Sequence, residues 1–317
     1  MFGLLRDIRV ASAMASAAIS FADRAAISDG ECLHDYASLW EAVQFFAADL
    51  SDARIRPGAR IAIYAGAGYE ALPAILAVEQ IGAVAVLLDN SDTPEVTRYK
   101  LADAGADYLI CHFGDDHIAV EAVDEIDATG LTMTTIAGDY TLVRLRFRAT
   151  RSRIRGSGFA FCSPDGSGWA EKSSAALMAA VLSMRDDLAT TSNDVVAVTE
   201  PVTSLVLMTS ILATLMSGAC LSLRRYGGAS PARVDEHLRG DEVSVLLCSD
   251  HRLTTLQSAG IRALQYVRLL KATQHHVVAV DQTTDSDDGT DLVRGCRSRI
   301  VPRNPPRVRD FRQPRCR

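Results

Sequence analysis

The feature that most constrains this fold is a regular alternation of strand-like and helix-like segments between residues 60 and 112. Three apolar runs, "RIAIYA", "VAVLLD" and "ADYLICH", are separated by two segments with helical spacing, "ALPAILAVEQ" and "PEVTRYKLADAG". The run "VAVLLD" is apolar up to its last residue, which is typical of a strand that is buried on both faces. Alternation of this kind predicts an α/β fold with parallel sheets.

The segments around this block carry clear start and stop signals. The stretch "AAISDGECLHDY" alternates around Asp29 and Gly30, which predicts a β-hairpin with a type I′ turn. A helix should begin with Thr93 as N-cap and Pro94 at its first position, and should end at Gly105. The helical segment "YASLWEAVQFFAADLSDA", which follows the hairpin, should bury one face. That face is made by Leu39, Val43, Phe46 and Leu50.

Residues 158–257 repeat the alternation, after a less regular and arginine-rich stretch. We therefore expect two stacked parallel-sheet α/β subdomains, at residues 1–150 and 151–270. Residues 271–317 are predicted to be a disordered tail, because a segment rich in arginine and proline cannot bury enough apolar surface to fold. An RNA-binding tail is one alternative for that end. We prefer an unstructured end, for which out-of-frame translation is one origin.

Composition limits the partners and the compartment. The net charge of -6 gives no general attraction for nucleic acid. Residues 204–223 are twenty residues without a charge, long enough for a membrane span, but Gly218 divides them. We favour a buried helix followed by a buried strand, and no membrane span. The cysteines are scattered and include no CxxC pair. This favours reduced thiols in a cytoplasmic protein over a disulfide framework or a zinc site.

The stretch "FCSPDGSGWAEKSSA", which begins at Phe161, is the main candidate site. Its glycines and serines lie between a predicted strand and a helix that we predict from Glu171 onward. Such residues let backbone N–H groups approach a phosphate, and a lysine adds positive charge. Pro164 and Asp165 oppose this, and an ordinary strand-to-helix turn is the alternative. The candidate phosphate-binding residues are Ser163, Asp165, Gly166, Ser167, Gly168 and Lys172.

Several of these segments together resemble the adenylate-forming superfamily, which includes acyl-CoA synthetases, fatty-acyl-AMP ligases and adenylation domains. Tyr36 and Leu39 in "DYASLW" are similar to the family's "(T)Y-x-E-L" helix. The run from "RIRPGARIAIYA" to "LADAGADYLI" is similar throughout to the family's corresponding run. The resemblance covers residues 20–260 and implies the large N-terminal domain of these enzymes.

The resemblance identifies the candidate stretch as the family's ATP-phosphate loop, "(Y/F)-T-S-G-(S/T)-T-G-x-P-K-G", in degenerate form. Pro164 stands at the first glycine and Asp165 at the next hydroxyl position. Proline has no N–H to donate, and the aspartate would face phosphate with a like charge. Lys172 replaces the family lysine only if one or two residues are inserted. The resemblance implies ATP and Mg²⁺ as cofactors if the protein is active.

Two further comparisons with the family concern the substrate and the catalytic machinery. Ser204 stands where the family has histidine or a related residue type, so the resemblance implies that it is a substrate-pocket residue. Nothing resembles the family's "Y-G-x-T-E" segment, and the chain has no lysine after Lys271. We therefore assign no catalytic residue and no metal ligand.

Three functions remain open. The first is a truncated or degenerate AMP-dependent ligase with weak or no activity alone. The second is a binding or scaffold module that pairs with a partner protein. The third is a ligase that is active by itself. The implied ligands are a fatty or aryl carboxylic acid and the pantetheine thiol of CoA or of a carrier protein.

Overall fold

The structure is a computed structural model that describes most of the first 279 residues. The described residues are 9–30, 32–65, 71–89, 92–112, 133–136, 140–145, 156–163, 168–198, 203–223, 230–272 and 277–279. All of them belong to one compact unit within Met1–Val280. The predicted tail, residues 271–317, lies outside the described residues from residue 280 onward.

Eight α-helices and fourteen strands make up the described part of the chain. The helices are α1 (Val10–Ser20), α2 (Tyr36–Asp52), α3 (Ala71–Gln80), α4 (Pro94–Asp103), α5 (Ser174–Leu188), α6 (Leu205–Met216), α7 (Pro231–Gly240) and α8 (Asp250–Ser258). The strands are β1 (Ala25–Ser28), β2 (Leu33–Asp35), β3 (Arg60–Ala65), β4 (Val84–Asp89), β5 (Tyr108–His112), β6 (Met133–Ile136), β7 (Tyr140–Arg144), β8 (Gly158–Cys162), β9 (Trp169–Ser173), β10 (Val195–Val198), β11 (Cys220–Ser222), β12 (Val245–Ser249), β13 (Arg268–Ala272) and β14 (Val277–Ala279).

The strands form two mixed sheets, each with a parallel centre, which confirms the predicted α/β class. Sheet I has the order β6-β7-β5-β3-β4-β8-β9, and sheet II has the order β14-β13-β12-β10-β11-β1-β2. Strands β5, β3, β4 and β8 are parallel in sheet I, and β13, β12, β10, β11 and β1 are parallel in sheet II. The outer strands of both sheets pair antiparallel.

Sheet membership does not follow the subdomain boundaries expected from the sequence. Strands β8 and β9, which come after residue 150, complete sheet I, whereas β1 and β2 join sheet II. Strands β13 and β14 extend past residue 270. The division into residues 1–150 and 151–270 stays a prediction about domains.

One apolar core joins the facing surfaces of the two sheets. It contains Leu87 and Phe159 of sheet I, Val196 of sheet II, and buried side chains of α1, α2, α3, α5 and α6. Helix α4 contributes Leu101 to a second core on the other face of sheet I. Helices α7 and α8 cover the other face of sheet II. The sheets are therefore stacked with a layer of helices between them.

Local signals account for several of the helices. The Asp35 side chain accepts a 2.7 Å hydrogen bond from the Ser38 N–H and caps α2. The predicted buried face of α2 is confirmed for Leu39, Val43, Phe46 and Leu50. Helix α4 begins as predicted, with the Thr93 hydroxyl accepting from the Val96 N–H and Pro94 in its first turn.

The hairpin predicted around Asp29 and Gly30 is confirmed, because β1 and β2 pair antiparallel, but its turn type and two other local details are wrong. Ser28 pairs with Leu33, so residues 29–32 connect β1 to β2, and of the described connecting residues only Gly30 has a positive φ. This connection is too long for a type I′ turn. The stretch predicted as less regular contains β6 and β7. Strand β7 pairs with β5, and β6 pairs with β7, which stabilises short runs of weak apolar character. The helix predicted from Glu171 begins at Ser174, because the preceding residues pair with β8.

The uncharged stretch of residues 204–223 forms helix α6 and strand β11, as favoured from the sequence. Gly218, with a φ of 77°, lies between the two elements and permits the turn. Neither α6 nor any other helix in the described ranges combines the length and apolar character needed to cross a membrane.

Candidate functional site

The candidate phosphate loop lies at the end of a β-hairpin. Strands β8 and β9 pair antiparallel from Gly158↔Ser173 to Cys162↔Trp169. Beyond the last pair, the Ser163 N–H donates a 2.8 Å hydrogen bond to the Gly168 carbonyl oxygen. The loop therefore connects two strands, which corrects the predicted strand-to-helix connection. Helix α5 follows only after β9.

The structure brings two of the predicted loop residues together. Ser163 is half-buried and directly follows β8, and Gly168 directly precedes β9. A Cβ atom built on Gly168 would have no heavy atom within 4 Å, so the backbone there borders open space. Asp165, Gly166 and Ser167 lie outside the described residues, together with Pro164.

Lys172 lies away from the loop. It is within β9 and its Cα is paired with that of Phe159. At a rise of about 3.3 Å per residue, it lies about 10 Å along the strand from Trp169, where the hairpin opens. Strand pairing with β8 accounts for this position, which the helix expected at Glu171 did not anticipate. A contribution of Lys172 to phosphate binding stays a prediction.

Ser204 lies in the connection between β10 and β11 of sheet II. It precedes α6, and its hydroxyl oxygen accepts a 3.1 Å hydrogen bond from the Leu207 N–H. A serine in this position satisfies one of the free N–H groups at a helix start. This capping role explains the residue locally, and its place in a substrate pocket stays a prediction.

Asp89 is a residue that the sequence analysis did not single out. Strands β4 and β8 are parallel, with Leu87 paired to Phe161, so Asp89 and Ser163 follow at the same edge of sheet I. Ligands of α/β proteins generally bind beyond the carboxyl ends of parallel strands. The acidic residue that ends the apolar run "VAVLLD" was the signal in the sequence. Its carboxylate oxygens are of the type that Mg²⁺ prefers.

Side chains on the outer face of sheet I tie β9 to its surroundings. The Arg60 guanidinium forms a 2.8 Å ion pair with the Glu171 carboxylate, and both side chains are largely buried. The indole N–H of Trp169 donates to the Asp103 carboxylate at 3.0 Å. The strand that leaves the loop is therefore held to β3 and α4 as well as to β8.

Comparison with known proteins finds a family that is similar to the N-terminal part. The family model described as "AMP-binding enzyme" matches residues 14–152. Residues 14–152, which make up less than half of the chain, are thus similar to AMP-binding enzymes. The matched segment contains strands β1 to β7 and the helices α2 to α4, so it ends before the candidate loop.

A relative from this family has a defined substrate. A 3-[(3aS,4S,7aS)-7a-methyl-1,5-dioxo-octahydro-1H-inden-4-yl]propanoyl:CoA ligase of Rhodococcus jostii (strain RHA1) is 29% identical over 129 residues. The alignment covers 41% of this chain and 20% of the ligase. The chain thus spans about a fifth of the length of that relative.

Solved structures of adenylate-forming enzymes share the fold over most of the described chain. MbtA from Mycobacterium smegmatis, in its apo form, has a TM-score of 0.67 at 18% identity, over 86% of this chain and 54% of its own. O-succinylbenzoate coenzyme A synthetase from Bacillus subtilis, in complex with AMP, has a TM-score of 0.59 at 18% identity, over 78% and 64%. The N-terminal subdomain of NpsA from Klebsiella oxytoca has a TM-score of 0.64 at 18% identity, over 84% and 66%. The chain spans between about half and two thirds of these structures.

Proposed function

We propose that this chain is a degenerate homologue of AMP-forming acid–thiol ligases, and that its β8–β9 hairpin receives the phosphates of ATP weakly. The observation that supports this is the hairpin itself: Ser163 and Gly168 close it at the carboxyl edge of a parallel sheet. The family match of residues 14–152 supports the reaction class. Activity of the chain alone is then weak or absent.

The residues present fit a phosphate only in part. Open space beside Gly168 allows the backbone to approach an anion. Pro164 cannot donate an N–H, and Asp165 carries the same sign of charge as a phosphate. Lys172 lies along β9 rather than at the loop. Each of these departures lowers the expected affinity.

The wider reaction is part of the same proposal. ATP, when bound, would supply the adenylyl (AMP) group: a fatty or aryl carboxylate would be joined to its α-phosphorus as an acyl-adenylate, and pyrophosphate would leave. Asp89, at the same edge of sheet I as Ser163, would supply one oxygen ligand for Mg²⁺ beside the phosphates of ATP, because the described residues contain no group of three or more His, Cys, Asp or Glu side chains that could hold the ion alone. The acyl acceptor would be the thiol of CoA or of carrier-protein pantetheine, and the setting would be the cytoplasm.

Restoring the loop tests the proposal. The double variant Pro164→Gly, Asp165→Ser should bind ATP with Mg²⁺ about tenfold more tightly than the unchanged protein, because it regains a donor and loses a like charge. Titration calorimetry measures both affinities. The variant Asp52→Ser, at an exposed position of α2, removes one negative charge elsewhere and should leave the affinity unchanged. Equal affinities for the double variant and the unchanged protein would contradict the proposal.

A non-catalytic binding or scaffold module is a second candidate, favoured by the position of Lys172 within a strand. Such a module would pair with a partner protein that supplies the rest of the catalytic machinery. Carboxylate-dependent exchange of pyrophosphate into ATP distinguishes the two candidates. Exchange by the purified chain supports a ligase, and exchange that appears only after a partner is added supports the module.

A further inference from the structure

Helix α1 begins without help from its own sequence. Its N-cap residue, Arg9, makes no side-chain capping hydrogen bond. The first N–H groups of a helix have no partner within the helix and need another acceptor. Here the Val10 N–H donates to the Ser174 hydroxyl oxygen at 3.0 Å, and the Ala11 N–H donates to Glu79 Oε2 at 2.9 Å.

The Glu79 carboxylate also contacts the candidate loop's hairpin. Its other oxygen, Oε1, accepts a 3.0 Å hydrogen bond from the Ser157 hydroxyl. Ser157 directly precedes β8, Ser174 directly follows β9, and the Ser174 N–H donates to the Ser157 carbonyl oxygen at 3.2 Å. We call Glu79, Ser157 and Ser174 the hairpin base.

The hairpin base is buried. The relative exposure of Glu79 is 0%, that of Ser174 is 4% and that of Ser157 is 9%. A buried carboxylate is costly unless hydrogen bonds compensate for its lost hydration, and bonds to an ionised acceptor are stronger than neutral ones. Glu79 is surrounded in α3 by buried apolar side chains, so an apolar residue would fill this position at less cost.

We propose that Glu79 is a positioning residue for the phosphate loop, holding the start of β8 and the N-terminus of α1 in one fixed arrangement. The proposal rests on the proposed phosphate binding by the loop. Strands β8 and β9 are paired throughout, and β9 is also held by the Arg60–Glu171 ion pair. A shift at the base is therefore passed along the hairpin to Ser163 and Gly168. Preorganised donors bind an anion better than donors that must first be ordered.

Two substitutions of Glu79 separate the contacts from the charge. Glu79→Gln keeps the shape, with a carbonyl oxygen for the Ala11 N–H and an amide N–H for the Ser157 hydroxyl. Glu79→Leu keeps a similar volume and loses both contacts. Ser157→Ala removes only the hydroxyl that Glu79 accepts from, so it tests the same link if the leucine variant does not fold.

Hydrogen exchange of the full chain tests the link without any ligand. In Glu79→Leu, or in Ser157→Ala, exchange of the β8–β9 backbone N–H groups should rise about tenfold, as expected when a stabilising hydrogen bond is lost from a local opening reaction. Exchange of the β12–β13 pairs in sheet II should stay unchanged, and Glu79→Gln should resemble the unchanged protein. An equal rise in both sheets, or no rise in the hairpin, would overturn the proposal.

Binding of inorganic tripolyphosphate and of adenosine completes the test. Glu79→Leu should weaken tripolyphosphate binding about tenfold relative to Glu79→Gln and leave adenosine binding unchanged. Equal weakening for both ligands overturns the positioning role. If the unchanged protein binds neither ATP nor tripolyphosphate, the proposed function fails, while the exchange experiment still decides whether Glu79 holds the hairpin.

Discussion

The hairpin base and the α6–β11 corner are each stabilised by a side chain from a distant part of the sequence. The two sites differ in the charge of that side chain. At the base, the Glu79 carboxylate accepts hydrogen bonds from two segments. At the corner, which comprises residues 215–220, the Tyr36 hydroxyl lies 2.8 Å from the carbonyl oxygens of both Leu215 and Ala219. One hydroxyl proton is shared between these two acceptors.

This difference separates two uses of a buried polar group. A neutral hydroxyl costs little to bury once it is hydrogen-bonded, so the corner is an ordinary contribution to stability. A buried carboxylate needs more compensation, and an apolar replacement is often neutral or stabilising overall. The free energy of unfolding therefore reports how much the Tyr36 contact stabilises the corner. The role of Glu79 at the hairpin base is instead measured by hydrogen exchange of individual backbone N–H groups.

The largest expected effect is at the corner. Gly218 has a φ of 77°, and a Cβ atom there would lie 2.6 Å from Phe21 Cε1. The half-buried Phe21 ring packs against Tyr36, with ring centroids 5.7 Å apart, so a shift of the ring would disturb that contact. Gly218→Ala should lower the free energy of unfolding by about 3 kcal/mol, from backbone strain together with overpacking.

Urea denaturation measures this loss, and Gly260 provides a matched control. Gly260 has a φ of 67° and nothing within 4 Å of a built Cβ atom. Gly260→Ala should therefore show only the backbone strain, about 1 kcal/mol. Equal losses in the two variants would mean that Phe21 does not hold the corner.

Removal of the Tyr36 hydroxyl should have the next largest effect. Tyr36→Phe leaves two buried carbonyl oxygens without this donor and should lower the free energy of unfolding by about 2 kcal/mol. Tyr266→Phe removes a hydroxyl from a side chain that is 76% exposed and should change little. Denaturation of the two variants in parallel gives the comparison. A loss below that of the control would place the stability of the corner in apolar packing alone.

The sequence predicted those elements whose signals lie within the element. The start of α4 follows from Thr93 and Pro94, and the buried face of α2 follows from its own spacing. Tyr36 was recognised as part of a family motif, but its partners lie about 180 residues away and no local pattern names them.

The start of α1 and the second strand of the hairpin could not be predicted in this way. Glu79 lies in the helical stretch "LAVEQIG", where a glutamate is an ordinary surface residue, and its partner Ala11 is 68 residues away. The residues of β9, "WAEKS", have helical character, but pairing with β8 and the Arg60–Glu171 ion pair select the strand. Tertiary contacts overrode local propensity at both places. The strand before the candidate loop was predicted, and the position of Lys172 within a strand was not.

Alkaline pH offers a third test of the corner. Burial, with the nearby Asp241 carboxylate, raises the pKa of the Cys220 thiol from 9.0 to about 12, and burial also raises the pKa of Tyr36. The folded chain keeps these protons at a pH where the unfolded chain releases them. Stability is therefore fully present below pH 9 and falls between about pH 9 and 12.

The Cys220→Ala variant isolates the contribution of the Cys220 thiol to this pH dependence of stability. Its free energy of unfolding should fall less steeply above pH 9 than that of the unchanged protein, by about 1 kcal/mol at pH 10. Urea denaturation at pH 8, 9 and 10 measures the slope. Tyr36→Phe measured in the same series gives the share of the phenol. Parallel curves for all three proteins would show that neither group titrates differently on folding.

The smallest expected effect is at the N-terminus of α6, where a local cap can be compared with the distant Tyr36 contact at the C-terminus. Ser204 caps that helix from within its own sequence, and Ser204→Ala should lower the free energy of unfolding by about 1 kcal/mol or less. Ser249 caps α8 in the same way, with its hydroxyl oxygen 3.3 Å from the Arg252 N–H, and Ser249→Ala is the matched control. Similar small losses would leave the Tyr36 contact as the stronger restraint on α6. A loss from Ser204→Ala larger than that from Tyr36→Phe would reverse this order, because the helix would then depend on its local cap more than on the contact from α2.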